Sequence, residues 1–428
     1  MKSIELVSPA GSPEKLRFAF AYGADAVYLG AKSFSLREGA ANFSLAELNE
    51  GVAYAHSEGR KAYLAANIFF HDSHFGDFSD FLTEIKNIPV DGIIISDIGA
   101  VSYVREKYPD LPVHISTQAN TVNSESAMFY QKLGVKRIIL ARELSIGEIK
   151  SIRDRVSVEL ESFVHGAMCI SYSGRCLLSN YLTNKSLYRP GERPLAMKKD
   201  KTRDANLGDC SQSCRWEYYL VESTRKNSFL PVEESENGTA ILSSRDLNLS
   251  AQLGRLMEAG IDAFKIEGRM KSLYYVAGVT RVYRHCIDAF ASGARPDPQM
   301  LEELEKVSHR EYTTGFYFNE NLAPVSQELA PTKTSGYIRE YTFLGHVIEK
   351  KGPKSALVRA MNRIMNGSRI EAIGAGRKAA GAGAMIGNFT MEKESVPVEK
   401  VQAGDEFVLS WDGDAALGKY DIIRSRDE

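Results

Sequence analysis

The sequence predicts an α/β protein: a (β/α)8 barrel with a long insertion after its seventh strand, followed by a small all-β domain. Three observations carry that reading. Short apolar strand patterns alternate with helical patterns over the first 290 residues. Eight such strand patterns occur, the number that closes a barrel. From Gly336 onward, short strands separated by turn signals replace the alternation.

In chain order the eight strands centre on 5–7, 26–29, 62–65, 93–95, 113–116, 138–141, 158–161 and 264–267. Tyr22-Gly23, Glu58-Gly59, Leu133-Gly134 and Ala259-Gly260 each close a helical pattern shortly before the next strand. Gly just past a helix accepts the left-handed conformation that ends it. Helix starts are marked too. Ser44-Leu45-Ala46-Glu47 and Ser145-Ile146-Gly147-Glu148 fit capping boxes, and Ser12-Pro13 fits an N-cap followed by Pro. An open, doubly wound sheet is the alternative, but Ser8-Pro9-Ala10-Gly11-Ser12 lacks the GxGxxG turn of a dinucleotide fold.

About 100 residues, 163 to 262, separate the last two barrel strands, where roughly 20 to 30 would suffice. The barrel domain is placed at 1–311, a Thr-, Pro-, Asn- and Gly-rich linker at 312–335, and the β domain at 336–428. Strands of that last part are expected at 342–348, 356–359, 369–373, 385–390 and 406–410.

The 428 residues are 43% hydrophobic and 25% charged, which excludes chain-wide disorder. A net charge of −2 excludes a globally basic nucleic-acid binder, though not a local basic patch. No apolar run approaches the ~20 residues of a membrane span, and the N-terminus enters a strand pattern without a leader signature. The expected location is therefore the cytoplasm, with no membrane partner.

Four of the five cysteines fall between positions 169 and 214, as C-x6-C-x33-C-x3-C. In a cytoplasmic chain such a cluster reads as metal-binding or catalytic. Cys169, Cys176, Cys210 and Cys214 are soft thiolate donors that suit an iron–sulfur cluster or zinc. Structural zinc favours tight C-x2–4-C pairs at both ends, and only the second pair is tight, so iron–sulfur is preferred. Buried or redox-active thiols are the third option. Cys286, in a helical run, reads as a small buried residue.

The cysteine segments resemble a known family. Glu161-Ser162-Phe163-Val164-His165-Gly166-Ala167-Met168-Cys169, followed by Gly174-Arg175-Cys176 and Leu178-Ser179, matches the signature E-x-F-x-x-G-A-M-C-x4-G-x-C-x-L-S of the collagenase-like peptidase family U-32. Arg203-Asp204-Ala205-Asn206-Leu207-Gly208-Asp209-Cys210-Ser211-Gln212-Ser213-Cys214-Arg215-Trp216 resembles its second block. Further echoes are Ser116-Thr117-Gln118-Ala119-Asn120, Ala141-Arg142-Glu143-Leu144, Ser244-Arg245-Asp246-Leu247-Asn248 and Ile266-Glu267-Gly268-Arg269. The resemblance spans roughly residues 3 to 330. It implies hydroxylation chemistry on RNA or quinones, with cysteine-held 4Fe–4S clusters. The branch it most resembles performs prephenate-dependent 5-hydroxylation of wobble uridine in tRNA. One departure is residues 185–202, inserted between Thr183-Asn184 and Arg203.

Two other functions are weighed. A U-32 peptidase could use a Cys169–His165 pair, but the sequence has neither HExxH nor GxSxG, and four thiols suit ligation better than one nucleophile. A noncatalytic RNA-binding or scaffold protein is the third reading. RNA contact has local support: residues 185–203 hold seven Lys/Arg and two acidic residues, accompanied by Tyr181, Tyr188 and Trp216. Chemistry groups belong where barrel strands end. The catalytic candidates are Glu161, His165 and Glu267. The substrate-binding candidates are Arg37, His114, Gln118, Arg142, Arg245 and Arg269, the arginines as guanidinium clamps for prephenate or a related small carboxylate.

Overall fold

The computed structural model describes residues 3–31, 34–35, 42–169, 171–176, 179, 205–207, 210–211, 213, 234–235, 238–239, 245–318, 337–375 and 383–427. It divides into two compact units, residues 1–16, 25–270 and 310–337, and residues 17–24, 271–309 and 338–428.

The first unit is a closed parallel barrel. Its strands are Glu5–Pro9, Ala26–Gly30, Lys61–Ala65, Gly92–Ile95, Val113–Ile115, Arg137–Ile139, Glu159–Ala167 and Ala263–Ile266. Each pairs in parallel with the next, and Ala263–Ile266 closes the ring by pairing with both Glu5–Pro9 and Glu159–Ala167. All eight lie where the sequence places a strand centre. The reason is local: strands covered on both faces read as short apolar runs.

Helix termini follow the sequence signals. Ser44 and Ser145 each form a complete capping box, with Glu47 and Glu148. Gly134 and Gly260 have φ of +76° and +86°, as the helix ends before them require.

The seventh strand runs on to Ala167. Its far end pairs antiparallel with Asp246–Asn248, which in turn pairs with Tyr312–Thr313. This added pairing supports backbone that a barrel strand alone would leave open. It carries the chain rigidly from Glu161 up to the first cysteine.

The second unit is a mixed, mainly β structure. It has an eight-stranded antiparallel sheet in the order 384–386, 370–373, 422–426, 341–352, 355–360, 406–411, 389–393 and 396–398. Its core includes Val347, Val358, Phe407, Leu409, Trp411 and Ile423. The stretch expected as one strand at 385–390 is two, Ala384–Ile386 and Phe389–Lys393, broken at Gly387-Asn388. Helix Leu273–Ala291 belongs to this unit and buries Cys286, whose thiol burial pushes up to about 12.

Candidate functional site

Cys169 lies two residues beyond the end of the seventh strand, at the barrel's C-terminal mouth. The chain then forms a tight turn, Tyr172–Gly174, before Cys176. One carboxylate pins that turn. Glu143, after the sixth strand, accepts from Ser173 N and Ser173 Oγ, both at 2.6 Å. On the other side of Cys169, Arg142 Nη1 donates to Ala167 O at 2.8 Å. Arg175 Nε donates to Gln118 O at 3.0 Å, and its guanidinium lies 5.4 Å from the Phe69 ring.

The second cysteine segment is fastened to the first. Asn206 clasps the Cys176 backbone, accepting from its N at 3.2 Å and donating to its O at 3.0 Å. Ser179 Oγ accepts from Ser211 N at 2.9 Å and also bonds Ser211 Oγ. These bonds bring Cys210 back to the first pair across 33 intervening residues. Cys169 keeps an exposed face. Burial of its sulfur raises its thiol pKa, the Cys176 and Cys210 thiols add to that rise, and Arg142 opposes it.

The two cysteine segments are therefore fastened together, and as soft donors their thiols suit an iron–sulfur cluster or zinc in chemistry. Among the described residues, no three His, Cys, Asp or Glu side chains gather closely enough to hold one metal ion. Cys214, the fourth predicted ligand, lies outside the described residues, as do Arg37 and the basic segment 185–203.

The remaining arginines differ in what they touch. Arg245 pairs with Glu311 at 3.2 Å. Arg269 is buried and lies across Gly30, where a Cβ would stand 2.4 Å from its Nη1 and 2.5 Å from Ser35 Oγ. Arg142 rests 4.0 Å above the Phe163 ring. Its Nε is buried without an acceptor among the described residues, and no described carboxylate pairs with it. The Nε–Nη2 edge of a guanidinium is the one that grips a carboxylate side-on. Gln118 is buried nearby, accepting from Asn67 Nδ2 at 2.8 Å.

Below this mouth the barrel interior is charged. Glu161 is fully buried and accepts from Lys265 Nζ and Arg137 Nη1, both at 2.8 Å. Arg137 also reaches Glu5 and Glu159. The His114 ring packs against that of Tyr63, tilted by 58° with 4.7 Å between ring centres, and its Nδ1 lacks a described partner. Burial, then the charges of Arg137 and Lys265, hold its pKa well below the usual range, so the imidazole is neutral. His165 is buried with its ring 5.5 Å from that of Tyr312, and its carbonyl accepts from Glu267 N at 2.9 Å.

The structure thus sets Arg142, Gln118 and the two cysteine segments at the mouth, without a three-thiol cluster among the described residues, and sets Glu161 and His114 deeper. Sequence reasoning missed Glu143, Asn206, Arg137 and Lys265. Glu143 and Asn206 were within reach, since both stand inside quoted motif blocks beside chosen residues. Arg137 and Lys265 had no local signal.

The sequence profile of peptidase family U32 matches residues 11–327. A Bacillus subtilis protein named tRNA hydroxylation protein P1 is 40% identical over 319 residues, covering 74% of this chain and 71% of that protein. The tRNA hydroxylation protein P of Escherichia coli is 39% identical over 352 residues, covering 73% and 74%. A Methanocaldococcus jannaschii relative, named as an uncharacterized protease, is 40% identical over 327 residues, covering 75% and 74%.

Proposed function

The chain belongs to peptidase family U32, and from that membership we propose that it is an enzyme of tRNA modification, hydroxylating wobble uridine at carbon 5. The observation that carries this is the 40% identity over 319 residues with a protein named for tRNA hydroxylation. The fastening of the Cys210 segment to the loop that carries Cys176 supports it.

In this reading Cys169, Cys176, Cys210 and Cys214 hold a 4Fe–4S cluster, with zinc as the alternative. Such a cluster supplies redox chemistry or an electrophilic iron beside the substrate. The chain's own residues do the rest. Arg142 offers its buried, unsatisfied Nε to the carboxylate of a prephenate-type acid, and the Phe163 ring supports the guanidinium face. Arg269, buried across Gly30, is a second anion contact. His165 and Glu267 are the proposed proton-transfer groups, with Glu161 below them. The basic segment 185–203 is proposed to grip RNA phosphates. The proposed setting is the cytoplasm, and no helix among the described residues is long and apolar enough to cross a membrane.

The test is nucleoside mass spectrometry of tRNA from strains with and without the protein. Loss of 5-hydroxyuridine derivatives, restored on complementation, is expected. Unchanged derivatives overturn the reading. A cysteine peptidase would instead show peptide cleavage by the pure protein with the tRNA nucleosides unchanged. A scaffold protein would bind RNA equally well after Cys→Ala changes.

A further inference from the structure

The Arg142–Glu143 dipeptide touches the first cysteine loop on both sides. Arg142 holds Ala167 O, two residues before Cys169, and Glu143 holds Ser173, between Cys169 and Cys176. The second grip is the tighter one. Both oxygens of one carboxylate engage one residue, through its N–H and its hydroxyl, at 2.6 Å each. Charge-assisted bonds of this length are stronger than ordinary ones.

The residue so held needs holding. Ser173 has φ of +43°, a left-handed conformation that costs a residue with a Cβ about 1 kcal/mol or more. Gly174 follows with φ of +83°. Two successive left-handed residues reverse the chain sharply and aim Cys176 inward, where it is buried. Without Glu143 nothing in its own preference would keep Ser173 there. Glu143 itself is fixed by position, following the short sixth strand of the barrel.

We infer that Glu143 is the positioning residue that sets Cys169 and Cys176 in register, acting through Ser173. The inference rests on the reading of these cysteines as ligands, and it adds a residue that neither touches substrate nor binds metal. A Gln at this position would keep both bonds, accepting from Ser173 N with its oxygen and donating to Ser173 Oγ with its amide. An Ala would lose both.

The experiment uses the full chain, purified anaerobically, as parent, E143A, E143Q and S173A. Iron and acid-labile sulfide are measured first. Each protein is then stripped with chelator, and alkylation of Cys176 by iodoacetamide is followed by peptide mass spectrometry. Cys286, fully buried in the second unit, reports unfolding of that unit, and thermal melting followed by far-ultraviolet circular dichroism reports unfolding of the barrel. In E143A, iron and sulfide are expected to fall sharply. Its Cys176 should alkylate at least about tenfold faster while Cys286 stays protected, as loss of bonds to a charged group predicts. E143Q should stay within about fivefold of the parent, since its hydrogen bonds survive without the assistance of the charge.

Parent-like protection of Cys176 in E143A overturns the inference. So does an E143Q as defective as E143A, which would make the charge rather than the geometry the active feature. Should E143A expose Cys286 as well, S173A decides. Faster Cys176 with Cys286 protected then supports the clamp, and parent-like Cys176 defeats it. A parent without iron or sulfide defeats the cluster reading alone, because the alkylation arm still tests the clamp.

Discussion

Lys265 Nζ donates a 2.8 Å hydrogen bond to Glu161 Oε1 inside the barrel, where both side chains are almost wholly buried. The register explains the meeting. Ala263 stands opposite Glu161, so Lys265 stands opposite Phe163, on the inward-facing alternation of the neighbouring strand. Glu161 offers its other oxygen to Arg137, whose Nη1 also reaches Glu5 and whose Nη2 reaches Glu159. Burial lowers the Lys265 amine, while Glu161 supports its charged form.

Glu161→Gln should therefore destabilise strongly. Lys265 has no other described carboxylate, and stranding a buried ammonium costs about 3–5 kcal/mol. Chemical denaturation of E161Q should show that loss. The double variant E161Q/K265M, which removes the stranded charge, should recover part of it. An E161Q as stable as the parent would mean the pair adds nothing.

Glu5 predicts an acid limb. Burial pulls its carboxyl up, but Arg137 and Lys61 outweigh that and hold it at about 2, against an ordinary 4.5. A folded-state pKa below the unfolded one stabilises the protein above the unfolded value. That stability is lost as pH falls from about 4.5 to about 2. The difference corresponds to roughly 3 kcal/mol. Denaturation between pH 6 and pH 2 should show it, and Glu5→Gln should flatten the curve in that window.

Arg142→Lys keeps the charge and removes the fork. The expected result is a KM for the small acid raised about tenfold, with a smaller change in kcat. Steady-state kinetics at varied acid concentration checks it. An unchanged KM would place the acid elsewhere.

Single Cys→Ala changes at 169, 176 and 210 should each abolish bound iron and sulfide. Cys286→Ala should retain them, because that thiol is buried in another unit and held protonated. Elemental analysis after anaerobic purification distinguishes the two groups. Stoichiometric zinc without sulfide would defeat the cluster reading.

Some of the candidate site was readable because its members are close in the chain. Cys169 and Cys176 flank one turn, and Arg142 stands three residues past a strand end. Other parts were not. The strand Ile422–Arg426 looks too charged for a sheet, yet Arg424 is buried there between Glu303 and Glu371, at 2.9 and 2.6 Å. Lys265 interrupts the apolar run Phe264-Lys265-Ile266, and its partner is 104 residues away.

By itself the amino-acid sequence determined the eight strands, the caps of their helices, the all-β region and the crowding of the cysteines. Those features rest on apolar periodicity, turn chemistry and short-range bonds, which act within a few residues. Only the tertiary structure decided that Glu161 serves Lys265 and Arg137, that Glu143 grips Ser173, and that Asn206 returns Cys210 to Cys176. Those contacts depend on barrel closure and strand register, which bring distant residues to one layer. No local pattern encodes which buried charge will find which partner.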